Sequence, residues 1–344
     1  MTTERRVITA YCLHWHLSKS SAFHELLVKP LAPYADIQMV GWDGHEDLPA
    51  PQADELTIFC QFPPTERWLA QYQAPVIWIP MADYTLYPPN IAHHPSVRMV
   101  AFSDAVAGWA QQVGLPYLRL TYYLNPDDFT PADFEGERVM LYWNRIGWFD
   151  KAFMKRLCKR LRVDRLLLRN QLDPNYPAHY AYALPQQMGG TTVELYTDIH
   201  TADGYMALVK RANMFITPRN LEGVGMTMLE AMARGCVVLG YDAPTMNEYI
   251  QDGVNGLLIR KQTHISKWLY WRRRIYRGLH RRYYWYRYKQ VVTYQDRPRW
   301  QPIPTLSDAD CLRIGATARA ESAKGYADWV ASIERYAQFI IGTN

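Results

Sequence analysis

The stretch MFITPRNLEGVGMTMLEAMARGCVVLGYDAPTMNEYIQDGVNGLLI, residues 214–259, decides the fold. It opens with an apolar run that predicts a strand, Met214–Thr217, and passes through a glycine-containing loop into a predicted helix, Val224–Arg234. Predicted strands at Cys236–Gly240 and Gly256–Ile259 follow. Strands that alternate with helices are typical of a parallel sheet covered by helices on both faces.

The same alternation runs through the rest of the 344 residues, a length that suits two domains. In the first half, strands are predicted at Arg6–Leu13, Asp36–Val40, Glu55–Cys60, Pro75–Pro80, Val97–Phe102 and Tyr117–Thr121, and helices at Ser21–Leu31, Pro64–Gln71 and Ser103–Val113, the last with Ser103 as N-cap. After a Pro-, Asp- and Gly-rich linker come strands Arg138–Trp143, Asp164–Arg169 and Thr191–Tyr196 and helices Asp150–Leu161 and Ala202–Arg211. Two such arrays predict an α/β protein with two doubly wound Rossmann-like domains facing across a cleft.

Composition excludes several classes of protein. Hydrophobic residues make up 49% and charged residues 21% of the chain, which is a globular balance. The five cysteines are scattered without a C-x-x-C pair, so neither a disulfide framework nor a zinc site is indicated. No apolar run approaches the roughly 18 residues of a membrane span, and the N-terminus does not resemble a signal peptide. A cytoplasmic protein is expected, with peripheral attachment to the inner face of the membrane left open.

The loop before the helix Val224–Arg234 is the first candidate site. Its glycines let backbone N–H groups approach a ligand, and the helix N-terminus favours an anion such as a diphosphate. Glu222 lies in this loop, and Glu230 lies about two helical turns further on, on the side expected to face the interior or a cleft. A carboxylate placed there needs hydrogen-bond donors, which ligand hydroxyls supply. The alternatives are a tight turn, a capping Glu222 and a solvated Glu230.

The order of these residues resembles the donor-binding signature of retaining GT-B glycosyltransferases, particularly family 4. The matching positions are Pro218, Glu222-Gly223-Val224-Gly225, Glu230-Ala231-Met232-Ala233-Arg234-Gly235, Glu248 and Asp252-Gly253-Val254-Asn255-Gly256. Upstream, LYWNRIGWFDK places Arg145 after a strand and Lys151 six residues later, as the family does.

The resemblance implies a role for each of these residues. Arg145 and Lys151 are expected to bind the donor diphosphate and Glu222 the transferred sugar, and these three form the predicted catalytic set. Glu230 is expected to bind the ribose. The other predicted donor-binding residues are Gly223, Val224, Gly225, Met226, Thr227 and Arg219. The nucleotide-diphosphate sugar is a co-substrate, so no cofactor is expected, and the paired cations imply transfer without a metal.

The resemblance also implies domain boundaries. An acceptor-side domain is expected at residues 1–130 and a donor domain at 136–322, the latter with a basic aromatic insertion at 260–300. The last of the family's closing helices, at 323–344, is expected to return to the first domain.

The first half departs from the family pattern. A glycine-rich loop is replaced by HWHLSKSS, in which His16 and Lys19 are candidate acceptor-side or phosphate contacts, or only cap the next helix. If His14 and His16 lie on a strand they share a face, but no third metal ligand is visible. Asp83 is retained where Ala82 replaces the usual histidine, so Asp83 is a third acceptor-side candidate.

Eleven Lys or Arg and no Asp or Glu lie between residues 260 and 289. Trp268, Trp271, Ile275, Leu279, Tyr283 and Tyr286 form an apolar stripe at helical spacing. An anionic membrane surface suits this pattern. A helix that covers the second domain and a nucleic-acid contact are the alternatives, the latter the least favoured.

The combined prediction is a retaining hexosyltransferase-type enzyme. It would move a sugar from a nucleotide-diphosphate sugar to a glycan or glycolipid acceptor of the cell-surface polysaccharide or lipopolysaccharide type. An inactive GT-B scaffold or binding protein is the alternative.

Overall fold

The computed structural model describes residues 6–18, 22–44, 48–49, 55–71, 74–83, 91, 94–146, 149, 151–173, 181, 184–199, 201–260 and 302–342. Within these residues the chain forms two mainly parallel sheets, one from each half. Lys19 and nearly all of the basic aromatic segment lie outside the described residues.

The first sheet has six strands among the described residues: β1 Val7–Cys12, β2 Asp36–Gly41, β3 Thr57–Cys60, β4 Val76–Ile79, β5 Val97–Ala101 and β6 Tyr117–Arg119. They lie in the order β2-β1-β3-β4-β5-β6, and every pair is parallel. The strand order therefore reverses between β1 and β3. The central strands β3 and β4 are buried along their whole length, as their unbroken apolar sequences predict.

The second sheet has seven strands in the described part of the chain: β7 Val139–Trp143, β8 Arg165–Arg169, β9 Gln187–Met188, β10 Thr191–Tyr196, β11 Met214–Ile216, β12 Val237–Tyr241 and β13 Leu257–Ile259. Their order is β13-β12-β11-β7-β8-β10-β9. All neighbours are parallel except β9 and β10. The order reverses between β7 and β11, so each sheet is doubly wound, as predicted.

The helices that cover these sheets agree with most predictions. They are α1 Trp15–Ser18, α2 Lys29–Leu31, α3 Glu66–Leu69, α4 Asp104–Val113, α5 Lys151–Leu161, α6 Ala202–Arg211, α7 Met226–Ala233, α8 Met246–Tyr249 and α9 Asp308–Ile341. Ser103 caps α4 as predicted, because its hydroxyl oxygen accepts a hydrogen bond of 3.2 Å from the backbone N–H of Val106. The predicted helix Ser21–Leu31 contains a π-helical turn, His24–Val28.

Helix α9 differs from the closing helices that the resemblance implied. It is one uninterrupted helix of 34 residues, opened by a capping box between Ser307 and Asp310. Its first part packs on α7 and β12, and a Cβ at Gly315 would overlap the carbonyl oxygen of Gly235. Its later part packs on α2, and the ring of Trp329 contacts Tyr122 with centroids 5.2 Å apart. One helix therefore spans the junction of the two sheets. No helix in the described residues combines the length and hydropathy required to cross a bilayer.

Candidate active site

The candidate site lies where the second sheet reverses its strand order. Arg145 comes two residues after β7, and the loop of residues 217–225 follows the neighbouring strand β11. Parallel strands bring their carboxyl ends to one edge of a sheet, and the reversal opens a crevice there that favours ligand binding. The two predicted donor-binding segments, which are distant in sequence, therefore meet.

Two glycines shape the loop. Gly225 has φ +75° and forms the N-cap of α7, a backbone conformation that other residues rarely adopt. A Cβ at Gly223 would lie 2.9 Å from Sδ of Met81 and 3.1 Å from Oδ1 of Asp83. Met81 and Asp83 follow β4, so the loop of the second domain lies directly against the first domain. Of the other predicted donor contacts, Val224 is buried, and Met226 and Thr227 are partly exposed at the start of α7.

A chain of ion pairs crosses the cleft beside this loop. Arg145 donates from Nε to Oδ1 of Asp173 at 2.8 Å. Arg219 donates from Nη2 to Oδ2 of Asp173 at 2.6 Å and from Nη1 to Oδ2 of Asp83 at 2.8 Å. The four side chains are between 12% and 20% exposed. Asp173 was not predicted as a site residue, although it lies just past the end of a predicted strand, where ligands bind in parallel sheets.

Glu222 and Glu230 are carboxylates in the same region with unsatisfied oxygens. Oε1 of Glu222 and Oε2 of Glu230 are buried and accept no hydrogen bond from the residues described. Burial raises the pKa of each to about 7, and for Glu222 the charges of Arg219 and Arg145 oppose that rise. The alternative of a solvated Glu230 is therefore wrong for this oxygen. Buried polar atoms without partners are rare in native proteins, and ligands often supply the missing partner.

Arg169 and two aromatic side chains form a cluster, and Tyr205 of this cluster lies near Glu230. The guanidinium of Arg169 lies 3.7 Å from the ring centroid of Trp143 and 5.3 Å from that of Tyr205. Burial lowers the pKa of Arg169 to about 10, and the nearby charge of Glu230 adds to the burial that raises the pKa of Tyr205. Lys151 is the first residue of α5 and is exposed. A contact between Lys151 and the diphosphate stays a prediction.

The first domain presents His16 at its own reversal point. Nε2 of His16 lies 3.1 Å from Oε1 of Gln61, and these residues follow β1 and β3. Burial lowers the pKa of His16, and the hydrogen bond to Gln61 opposes that shift. His14 and His16 do not share a strand face, because β1 ends at Cys12 and His16 lies in α1. The hypothesis that both histidines lie on one strand is wrong, since the helix α1 begins soon after β1 ends.

Glu248 joins the two domains on another side of the cleft. Its Oε2 accepts a hydrogen bond from the backbone N–H of Asp104 and another from Nη2 of Arg119, both at 2.8 Å. Burial raises the pKa of Glu248, while these two donors oppose the shift. The matched motif position is therefore an interdomain contact in this chain.

The second half of the chain contains a segment that matches a known protein family. Residues 193–267 fit the model of the family described as glycosyl transferases group 1. The likeness to this family is carried by that segment. It contains β11, the 217–225 loop, α7 and both candidate glutamates, so the resemblance drawn from the motifs is confirmed. No curated protein matches the sequence.

Solved structures extend the likeness to the whole chain. Sucrose-phosphate synthase from Thermosynechococcus elongatus aligns with a TM-score of 0.60 and 12% identity, covering 97% of this chain and 98% of that one. HepE from Anabaena in complex with UDP and glucose aligns with a TM-score of 0.57 and 13% identity, covering 98% and 100%. A glycosyltransferase from Rickettsia africae gives 0.57 and 11%, covering 99% and 100%. At these identities the alignments establish the fold, which is GT-B as predicted.

Proposed function

We propose that the protein is a retaining glycosyltransferase that moves a sugar from a nucleotide-diphosphate sugar to a glycan or glycolipid acceptor. One observation carries the proposal. Glu222 and Glu230 of the segment that matches the group 1 model each have a buried, unpaired oxygen, and the charge of Arg145 acts on Glu222. An unpaired buried carboxylate oxygen is costly, and the hydroxyl groups of a sugar are donors of the required kind.

The proposed roles are those that the family resemblance implies. Glu230 accepts hydrogen bonds from the ribose hydroxyls, and Glu222 accepts them from the transferred sugar. The backbone amides of residues 223–227 face the sugar and its phosphate at the N-terminus of α7. Arg145 and Lys151 bind the diphosphate and stabilise the charge that accumulates as it leaves.

The proposed transfer needs no carboxylate nucleophile. The acceptor oxygen bonds to the anomeric carbon on the face from which the diphosphate departs, and the bond from that carbon to the phosphate oxygen breaks. The acceptor proton passes to the leaving phosphate. Because Arg145 and Lys151 supply the positive charge, we propose transfer without a divalent ion. Loss of activity in EDTA that Mg²⁺ or Mn²⁺ restores would contradict this part.

Binding of nucleotides tests the donor site. UDP, which the HepE structure contains, is the first candidate, followed by GDP, ADP and CDP. One of them is expected to raise the melting temperature of the wild type and not that of Lys151→Ala. Lys155→Ala is the matched control, since Lys155 is exposed one turn further along α5. If none of the four shifts the wild type, the scaffold alternative is favoured.

The proposal also includes a location for the protein. We propose that the protein works at the cytoplasmic face of a membrane, where residues 260–290 contact anionic lipid. Support comes from the sequence of that segment, which lies outside the described residues apart from Arg260. Pelleting with vesicles of phosphatidylglycerol, and not with phosphatidylcholine alone, is expected. Binding that ignores lipid charge and salt would count against it.

A further inference from the structure

We infer that Asp173 is the positioning residue of the donor site, which orients Arg145 for the diphosphate. This inference rests on the proposed function and deepens it. Asp173 lies outside residues 193–267 and outside every motif that matches the family. Its assignment comes from its contacts alone.

Asp173 and Arg145 are joined at two points. The backbone N–H of Asp173 donates to the carbonyl oxygen of Arg145 at 2.9 Å. In return, Nε of Arg145 donates to Oδ1 of Asp173 at 2.8 Å. Two bonds in opposite directions between the same residues fix both the backbone and the side-chain direction. A partner that held Arg145 only by charge would leave the plane of the guanidinium undefined.

The other carboxylate oxygen of Asp173 is also occupied. Oδ2 accepts two bonds from Arg219, at 2.6 Å from Nη2 and 3.1 Å from Nε. Arg219 is in turn held by Asp83 through Nη1. Asp173 is thus fixed from two sides and places its negative charge between two cations that would otherwise repel each other.

The loop that carries Asp173 is itself tied to the end of β7. The indole N–H of Trp143 donates to the carbonyl oxygen of Gln171 at 2.9 Å, and Nδ2 of Asn144 donates to Oδ1 of Asn170 at 2.8 Å. The ring of Trp143 also lies 4.7 Å from the guanidinium of Arg145. The aspartate and the arginine it orients are therefore parts of one rigid unit.

This geometry has a direct chemical meaning. The hydrogen bond from Arg145 to Asp173 uses Nε and not Nη1 or Nη2, the nitrogens at the far end of the guanidinium. An arginine forks onto phosphate through a fixed pair of parallel N–H donors, so the plane of the group decides whether both bonds form. By fixing that plane, Asp173 raises affinity for a diphosphate without touching it.

Asp173→Asn is the test, because asparagine has nearly the same shape and lacks the charge. Affinity is measured for whichever of UDP, GDP, ADP and CDP binds the wild type, and for the corresponding nucleoside by competition. The variant is expected to lose about 10- to 100-fold in diphosphate affinity, as expected for losing a charge-assisted bond. Nucleoside affinity is expected to stay within about 2-fold. Asp203→Asn, an exposed change in α6, is the matched control.

A double mutant separates positioning from a structural role. In an Arg145→Ala background, Asp173→Asn is expected to cost less than about 3-fold, since its effect passes through Arg145. A full loss in that background, or equal losses for nucleoside and diphosphate, would overturn the inference. Unchanged diphosphate affinity in Asp173→Asn would also overturn the inference. If Asp173→Asn does not fold, Asp173→Glu is compared with the wild type instead. Absence of any nucleotide binding by the wild type would instead remove the proposed function itself.

Discussion

Arg219 of the second domain donates a hydrogen bond of 2.8 Å to Oδ2 of Asp83 in the first domain. The pair bridges the cleft from the loop after β11 to the loop after β4. Burial raises the pKa of Asp83, and the charge of Arg219 is the largest influence that opposes this shift. The acceptor-side candidate and the donor side are thus joined by an ion pair.

Removal of Asp83 is therefore expected to destabilise the protein. Asp83→Ala removes the carboxylate that pairs with Nη1 of Arg219, so the free energy of unfolding is expected to fall by about 1–3 kcal/mol. Urea denaturation of the variant and the wild type measures the difference. Asp203→Ala, whose carboxylate is exposed, is expected to change it by less than about 0.5 kcal/mol. Equal stability of Asp83→Ala and wild type would show that the bridge contributes nothing.

The close approach of Gly223 to the first domain gives a second prediction. Gly223→Ala places a Cβ 3.0 Å from Cβ of Met81, so the loops must separate by a few tenths of an ångström. The expected cost is about 1–3 kcal/mol of stability, with weaker nucleotide binding because the loop amides move. Gly190→Ala is the control, since a Cβ there meets nothing within 4 Å. If the two variants behave alike in denaturation and binding, the close approach of Gly223 to Met81 does not limit the residue at position 223.

Glu230 predicts how stability depends on pH. Its pKa is raised by burial from an ordinary value of 4.5 to about 7. Between these values the unfolded chain releases this proton while the folded protein keeps it. The free energy of unfolding therefore falls as pH rises through this window, by on the order of 1–3 kcal/mol.

Glu230→Gln removes this titration. The variant is expected to be more stable than the wild type at pH 8, with the difference shrinking as pH falls towards 4.5. Because the glutamate is proposed to bind the ribose, the same variant is expected to bind nucleotide at least 10-fold more weakly. Glu334→Gln, at an exposed position on α9, serves as control. A variant that is less stable at pH 8 would contradict the prediction.

Two glycines in helices predict opposite effects of the same substitution. Gly108→Ala in α4 adds a Cβ in open space, so it is expected to stabilise by about 0.5–1 kcal/mol through helix propensity. Gly325→Ala in α9 places its Cβ against the ring of Tyr123, so it is expected to destabilise despite the same gain. Thermal or urea unfolding of both variants checks the pair. A gain for Gly325→Ala would mean that α9 shifts without cost.

Most of the fold could be predicted because the parallel strands are buried on both faces. Their apolar runs, such as VIWI in β4 and RLLLR in β8, stand out from the amphipathic helices around them. The bounds of α6 agree with the prediction because Thr201 is an N-cap that the sequence displays. The short elements β9 and α8 escaped prediction, since two or four residues carry no periodicity.

The site was predictable where the contacts are local. Glu222, Gly225 and Glu230 lie on one loop and helix, so their spacing already places them together. The contacts of Asp173 and Gln61 depend on which strands become neighbours, and a linear sequence does not state that order. Glu248 shows the same limit, because its partners lie 144 and 129 residues away in the first domain.

Helix α9 has one more consequence, for the unfolding of the protein. Its residues from Asp308 to Ile341 bury Ile314 on the side of the second sheet and Tyr336 beside Phe102 of the first. Melting either sheet alone would expose part of this apolar surface while the helix remained attached to the other. Loss of one half is therefore penalised by the other half, so we expect the unfolding of the two sheets to be coupled.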